Sequence, residues 1–460
     1  MSEISRYTHE GEWARSPEIK RPRIVVTGIG LITPQGIDTE STWENIVAGK
    51  SAITDLDDQD LERLAELGKI NHLKDIPLNV GVAGIIDREF IPEDYILSKN
   101  IDSEKFRKND VKRMARAQLL SLAASTQALE NANILRNGEI DERVDRERFG
   151  VIIGTSIGGM DYVSYIGKLM EEGKRVSPTA PLVAGLERVA SVPSQVFELK
   201  GPKYTPTDAC ATGSQAVIAG IDKLLVGKAD RMLVGGSDAS VEQLAINMFD
   251  NTRALNRTKD SQRASIPFDV DRKGFVMAEG AGALVLETEE KARERNAPIL
   301  AEVAGYGSAS DAYHDTEPSG YAAKRSLQEA LHDGGLPKDG MLYINAHGTS
   351  TPVGDPVEIS AIREVMEDIP EDIEYAVSST KSSMGHTMGA SGAIEAGIAI
   401  LALRDQILPP TLNLETVMRE GRDMDLVPHE ARPARIDKAG SKNFGFGGSG
   451  THILFKRYED

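Results

Sequence analysis

Seven short runs of nearly continuous apolar residues punctuate the chain. They lie at 23–27 (RIVVT), 149–154 (FGVIIG), 232–235 (MLVG), 283–287 (ALVLE), 300–304 (LAEVA), 342–345 (LYIN) and 375–378 (YAVS). Runs this short, with no polar alternation, read as strands buried on both faces, as when helices cover a sheet from both sides. Helix-forming stretches lie between them at 113–132, 214–226, 324–332 and 393–404. Strand and helix alternate to the end, which predicts an α/β class.

One stretch has an internal echo. A small-residue loop leads into an Ala/Ile/Leu helix at 208–226 (DACATGSQAVIAGIDKLLV) and again at 383–403 (SMGHTMGASGAIEAGIAILAL). This suggests a duplicated domain that presents one loop-helix junction from each half. The polar stretch at 256–272 is the expected divide. The organisation read from sequence is a polar tail at 1–22, a first half at 23–270 and a second half at 271–460. Residues 55–112 are more charged and irregular, and read as an excursion on one face.

Charge and cysteine usage remove several classes. With 53 Lys and Arg against 71 Asp and Glu, the net charge is −18, which does not suit general DNA binding but leaves room for a local basic patch. The single cysteine, Cys210, excludes an intramolecular disulfide and thiolate metal clusters, and fits a reducing compartment. No metal-binding spacing joins the eight histidines, and no apolar run is long enough to span a membrane. The start of the chain has no apolar signal core, so a cytoplasmic location is expected. Gly28-Ile29-Gly30 follows a strand, but Thr33 stands where a dinucleotide loop needs its third glycine, so a strand-end turn is expected. Gly49-Lys50-Ser51 lacks its upstream phosphate-loop glycine, that position being Glu44.

Four segments carry polar chemistry. In Asp208-Ala209-Cys210-Ala211-Thr212-Gly213 a cysteine sits where a loop becomes a helix. A helix start can stabilise a thiolate, and small neighbours admit a carbonyl; a buried core cysteine is the other reading. Asn345-Ala346-His347-Gly348-Thr349-Ser350-Thr351-Pro352 puts a histidine at a strand end among hydroxyls. Lys381-Ser382-Ser383-Met384-Gly385-His386 places a lysine and a second histidine before the echo helix. Asn443-Phe444-Gly445-Phe446-Gly447-Gly448-Ser449-Gly450 sets two phenylalanines among glycines, as at an apolar tunnel mouth or in a flexible turn.

In order and spacing, these segments resemble the decarboxylating β-ketoacyl-acyl-carrier-protein synthases of the elongating kind. The resemblance runs from about residue 23 to residue 456. It includes 41–49 (STWENIVAG), 265–282 (SIPFDVDRKGFVMAEGAG), 311–316 (DAYHDT) and 401–413 (LALRDQILPPTLN). It implies the thiolase fold, in which two similar halves make five layers, and a homodimer. It further implies that Cys210 takes the acyl chain as a thioester. His347 and His386 would face malonyl carrier protein, their N–H groups stabilising the enolate left by carbon dioxide. Lys381 would organise the histidines, and Glu395 would orient Lys381. The backbone N–H groups of Cys210 and Phe446 would form the oxyanion hole.

By the same resemblance, Thr349, Thr351 and Thr316 bind the pantetheine arm. Phe446 gates an acyl tunnel, with Phe444 beside it and Ile157 and Phe249 lining it. Arg253 and the basic run of Lys105, Arg107, Lys108, Lys112 and Arg113 would meet an acidic acyl carrier protein. No bound cofactor or metal is implied, since 4′-phosphopantetheine arrives on the carrier. The implied reaction is two-carbon extension of a fatty acyl chain; a free-standing ketosynthase of a polyketide or specialised lipid pathway shares its mechanism. A biosynthetic thiolase needs a second cysteine, and an initiating synthase has asparagine in place of His386. The chain departs from the family pattern at 179–183 (TAPLV), which appears shortened where the acyl pocket and dimer surface are shaped, and at Ser449-Gly450, where Thr-Asn is commoner.

Overall fold

The computed structural model describes residues 21–56, 60, 79–99, 101, 108–111 and 113–459. Most of the expected tail and of the charged excursion lie outside these residues, as do Lys105, Arg107 and Lys112.

Ten strands form the main sheet. They are β1 (Ile24–Ile32), β2 (Phe149–Gly154), β3 (Lys203–Tyr204), β4 (Arg231–Asp238), β5 (Gly280–Thr288), β6 (Ala301–Ser310), β7 (Met341–Asn345), β8 (Tyr375–Ser378), β9 (Ile436–Gly445) and β10 (Ser449–Lys456). Their spatial order is β8-β7-β9-β10-β6-β1-β5-β4-β2-β3. The first five strands therefore lie in the order 3-2-4-5-1, and the second five repeat it. The pairing senses repeat as well. β2 is parallel to β3 and β4, as β7 is to β8 and β9; β4–β5 and β1–β5 are antiparallel, as are β9–β10 and β6–β10. β1 and β6 join the halves antiparallel. The two strand sets meet between Thr288 and Ala301, and the polar stretch at 256–272 falls before β5.

The helices complete five layers. α1 (Arg116–Asn131) and α3 (Arg188–Val196) cover the outer face of the first half-sheet. α6 (Tyr321–Gly334) and α7 (Gly354–Glu367) cover that of the second. α4 (Thr212–Leu225) and α8 (Ser391–Asp405), the two echo helices, pack together between the half-sheets. In α8 every residue from Ser391 to Leu403 is buried. A helix apolar on all sides belongs at such a centre. This is the thiolase arrangement.

Gly28 and Gly30 are not a strand-end turn, as the sequence suggested, but lie within β1. A Cβ on Gly28 would come 2.1 Å from the Ala128 carbonyl oxygen, and one on Gly30 would come 2.0 Å from that of Ala124. β1 thus lies directly against the backbone of α1. Gly305 and Gly307 repeat the arrangement in β6, where a Cβ would sit 2.6 Å from Ala330 O and 2.1 Å from Ser326 O on α6. Each strand also shifts register at the same place, between Val26 and Gly28 and between Val303 and Gly305.

Candidate active site

The nucleophile candidate arises from a sharp backbone turn. Ala209 is held at φ 45° between Asp208 and Cys210, and α4 begins two residues after Cys210, at Thr212. The Asp208 N–H donates to Thr212 Oγ1 (2.7 Å), and that hydroxyl donates to Ala209 O (2.7 Å). Ser449, from the start of β10, donates to Asp208 Oδ1 at 2.6 Å. The second half of the chain therefore ties down the first half's cysteine loop. Gly445 abuts the Cys210 amide, where a Cβ would lie 2.9 Å from Cys210 N, and Phe446 follows it.

His347 leaves the end of β7. Its N–H and that of Gly348 donate to the two oxygens of Glu358 on α7, at 2.8 and 2.7 Å. His386 follows the single turn Lys381–Met384 and is held by backbone bonds to Val276 and Ala278. Its Nδ1 lies 2.9 Å from Ser391 Oγ, at the start of α8. The two imidazoles stand edge to face with centroids 5.2 Å apart. Phe275 packs 5.3 Å from His386, and Phe444 packs 4.5 Å from His347.

One sulfur or nitrogen atom from each of Cys210, His347 and His386 lies within 4.8 Å of the other two. All three residues are buried at the inner end of a cavity of about 370 Å³. Burial lowers both histidines well below their usual pKa, and the Lys381 charge adds to this, so both are neutral at pH 7. Burial pushes the Cys210 thiol up to about 12, opposed by Lys381. The resting group is thus the thiol. The helix start read from sequence as a thiolate stabiliser is present, but the apolar surroundings outweigh it. Lys381 is itself buried and pairs with Glu395, whose carboxyl burial pushes up to about 7 against the pull of Lys381. A Cys/His/His set is one that a thiophilic divalent ion takes, but the Lys381 ammonium bears on all three groups and opposes a second cation there.

The cavity also brings together most of the other expected residues. Thr349, Thr351, Phe249 and Phe444 line it, and Thr316, Arg253 and Phe446 stand at its exposed mouth. Thr349 and Thr351 hydroxyls lie 3.1 Å apart, both available to a polar arm. Ile157 does not line the cavity. It packs in the apolar cluster behind Cys210 with Phe249 and Met388. Lys381 and Glu395 stand behind the wall, and Arg113 is exposed away from the cavity. The glycine-rich stretch at 443–450 is the tip of a hairpin, with residues 446–448 turning between the paired ends of β9 and β10.

Sequence reasoning missed Glu358 and Asp238, and gave no role to Asn443 within its segment. Asn443 Oδ1 lies 3.2 Å from His347 Nδ1. Asp238 accepts from the Thr155 and Ser156 hydroxyls and from the N–H groups of Ser156, Ile157 and Gly389. Neither Glu358 nor Asp238 has a motif to reveal it, since both work on backbone amides distant in sequence.

Residues 21–292 match the beta-ketoacyl synthase N-terminal domain, and residues 300–415 match its C-terminal domain. The chain belongs to the beta-ketoacyl synthase family. It is 36% identical over 441 residues to a 3-oxoacyl-[acyl-carrier-protein] synthase 2 of Staphylococcus aureus, covering 95% of this chain and 99% of that one. It is 35% identical over 446 residues to the Vibrio cholerae protein of that name, covering 95% and 100%. A solved beta-ketoacyl synthase from Burkholderia phymatum is 30% identical with a TM-score of 0.81, covering 95% of this chain and 100% of that one. A type II polyketide acyl carrier protein in complex with its ketosynthase bound to the hexaketide gives 28% identity and a TM-score of 0.79, covering 96% and 100%. This ketoacyl synthase is accordingly a condensing acyltransferase. Among its described residues no helix is long and apolar enough to cross a membrane.

Proposed function

We propose that the protein extends a carrier-bound acyl chain by two carbons. Cys210 accepts the acyl group from acyl carrier protein as a thioester. Malonyl carrier protein then enters by the same mouth, its pantetheine arm held by Thr349, Thr351 and Thr316. Carbon dioxide leaves, and a ring N–H aimed at the thioester oxygen stabilises the enolate. The enolate carbon attacks the acyl-Cys210 carbonyl, whose oxyanion is held by the Cys210 and Phe446 amides. Burial, reinforced by Lys381 in its pair with Glu395, keeps both histidines neutral. The observation that carries this reading is the buried meeting of Cys210, His347 and His386 at the end of one cavity.

Arg253, exposed at the mouth, suits an acidic carrier on an otherwise acidic protein. The pantetheine thiol rides on that carrier, and no resident cofactor enters the scheme. A homodimer is supported by exposed apolar side chains on neighbouring surface elements. These are Val163 and Met170 on α2 (Met160–Glu171), Leu182 on the short helix Ala180–Ala184, and Leu186. A lone free thiol with carrier-borne substrates suits the cytoplasm.

The test is mass spectrometry of Cys210 after incubation with a panel of acyl carrier proteins. Loading of saturated acyl chains supports fatty-acyl elongation. The likeness to a polyketide ketosynthase favours a second reading, in which β-ketoacyl chains load instead. No acyl adduct on Cys210 with any donor would overturn both.

A further inference from the structure

We propose that Asn443 is a positioning residue that fixes His347 in its Nδ1–H tautomer, leaving Nε2 as a proton acceptor toward Cys210. This rests on the condensing reaction proposed above and divides the work of its two histidines.

The argument is one of hydrogen-bond polarity. Asn443 is fully buried on β9 and cannot turn to water. Its Nδ2 stands 3.3 Å from Ser441 Oγ. Glu395 Oε2 is buried with no hydrogen-bond partner among the described residues, and the Asn443 amide favours the charged form of that acid, as an N–H side turned toward it does. Reversing the amide would set its oxygen against a carboxylate already paired with Lys381. The amide oxygen therefore faces His347 Nδ1, and it can only accept. Nδ1 must carry the proton, and Nε2 carries the lone pair.

His386 is held differently. Its Nδ1 meets the hydroxyl of Ser391, which can donate as well as accept, with Thr387 Oγ1 3.0 Å beyond as a further partner. His386 is thus free to present Nε2–H to a thioester oxygen, and His347 is not. On this proposal one ring donates and the other accepts, where the resemblance implies two donors.

The acceptor has work to do, because Cys210 rests as a thiol. During acyl loading the Cys210 Sγ–carbon bond forms and the carrier's sulfur–carbon bond breaks. The thiol proton moves to His347 Nε2 and then to the departing pantetheine sulfur. His347 ends neutral, with Nδ1–H still on Asn443.

The experiment uses full-length protein labelled with 15N-histidine, with the His347 signals assigned by their loss in His347→Gln. Two-bond 15N–1H correlations distinguish the tautomers. The wild type is expected to show Nδ1–H at His347. Asn443→Ala should move it to Nε2–H and slow Cys210 acylation at least tenfold, while malonyl decarboxylation falls less than threefold. Asn443→Asp, which can still accept, should restore the Nδ1–H tautomer. An Nε2–H signal in the wild type overturns the proposal even if the alanine variant does not fold. So does an unchanged tautomer in Asn443→Ala, or an equal loss in both half-reactions. A wild type that never acylates Cys210 would sink the condensing reading, and the spectrum would still report on Asn443.

Discussion

The carboxylate of Asp238 accepts the Gly389 N–H at 2.7 Å, joining the end of β4 to the segment that follows His386. The same carboxylate holds Ser156 and Ile157, so one buried acid fixes the wall behind Cys210 and the approach to the second histidine. Asp238→Ala would leave the N–H groups of Ser156, Ile157 and Gly389 without their carboxylate, the last of them buried and the other two half-buried. An unmet buried donor costs about 1–3 kcal/mol, so urea unfolding should show a loss of at least about 1 kcal/mol. A loss below about 1 kcal/mol would mean the loops hold themselves.

Cys210→Ala should abolish condensation while carbon dioxide release from malonyl carrier protein persists, since His386 acts on the other substrate. In the wild type, burial raises the thiol to about 12. The rate of alkylation by iodoacetamide should therefore climb roughly tenfold per pH unit from pH 7 to pH 10, following the thiolate. A plateau beginning below pH 8 would show a thiolate already formed at rest.

His386→Ala removes the ring N–H left free to face a thioester oxygen. Loss of one such donor costs about 10²–10³ in rate. Labelled carbon dioxide release should slow by that order, with Cys210 acylation still measurable. Normal release with lost acylation would reverse the assignment.

Arg253 stands exposed at the mouth, and a rim charge acts on encounter more than on chemistry. Arg253→Glu should raise KM for the acyl carrier protein about tenfold, with kcat within about twofold. An acyl-pantetheine thioester should react as before. Equal losses on both substrates would place Arg253 in the site itself.

Glu242 caps α5 (Gln243–Asn251), accepting from the Leu244 N–H at 2.9 Å and from that of Ala245, and burial raises its carboxyl from 4.5 to about 7. The folded protein therefore holds this proton more tightly than the unfolded chain. The resulting stability is fully present below pH 4.5 and is lost as pH rises through 7. Glu242→Gln keeps an accepting oxygen and cannot ionise. Its stability relative to wild type should rise between pH 5 and pH 7.5 in urea titrations. A constant difference would show that the acid does not titrate in that range.

The seven apolar runs all fall in strands, because both faces of those strands are covered and burial leaves its mark as continuous hydrophobicity. β9 and β10 escaped notice for the opposite reason. They bury Lys438, Lys442, Asn443 and His452, polar residues that break the apolar run a buried strand otherwise shows. The cysteine and histidine loops were legible as polar chemistry, but residue types alone left each open to a structural reading, and only the family resemblance joined them. Gly28 and Gly30 were visible as a pair; their purpose was not, since it depends on the backbone of α1. The docking run is only partly visible in the structure, because Lys105, Arg107 and Lys112 lie outside the described residues.

The repeated 3-2-4-5-1 strand order has a consequence for recombination. The nucleophile belongs to the first strand set, and both histidines, Lys381 and the hairpin that clasps the Cys210 loop belong to the second. A crossover between Thr288 and Ala301 would take the nucleophile from one parent and both histidines from the other, cutting the sheet's hydrogen bonding only along the β1–β6 seam and leaving each five-strand set whole. The seam bond most at risk in such a chimera is that of Ser449 to Asp208, where each parent must recognise the other's loop.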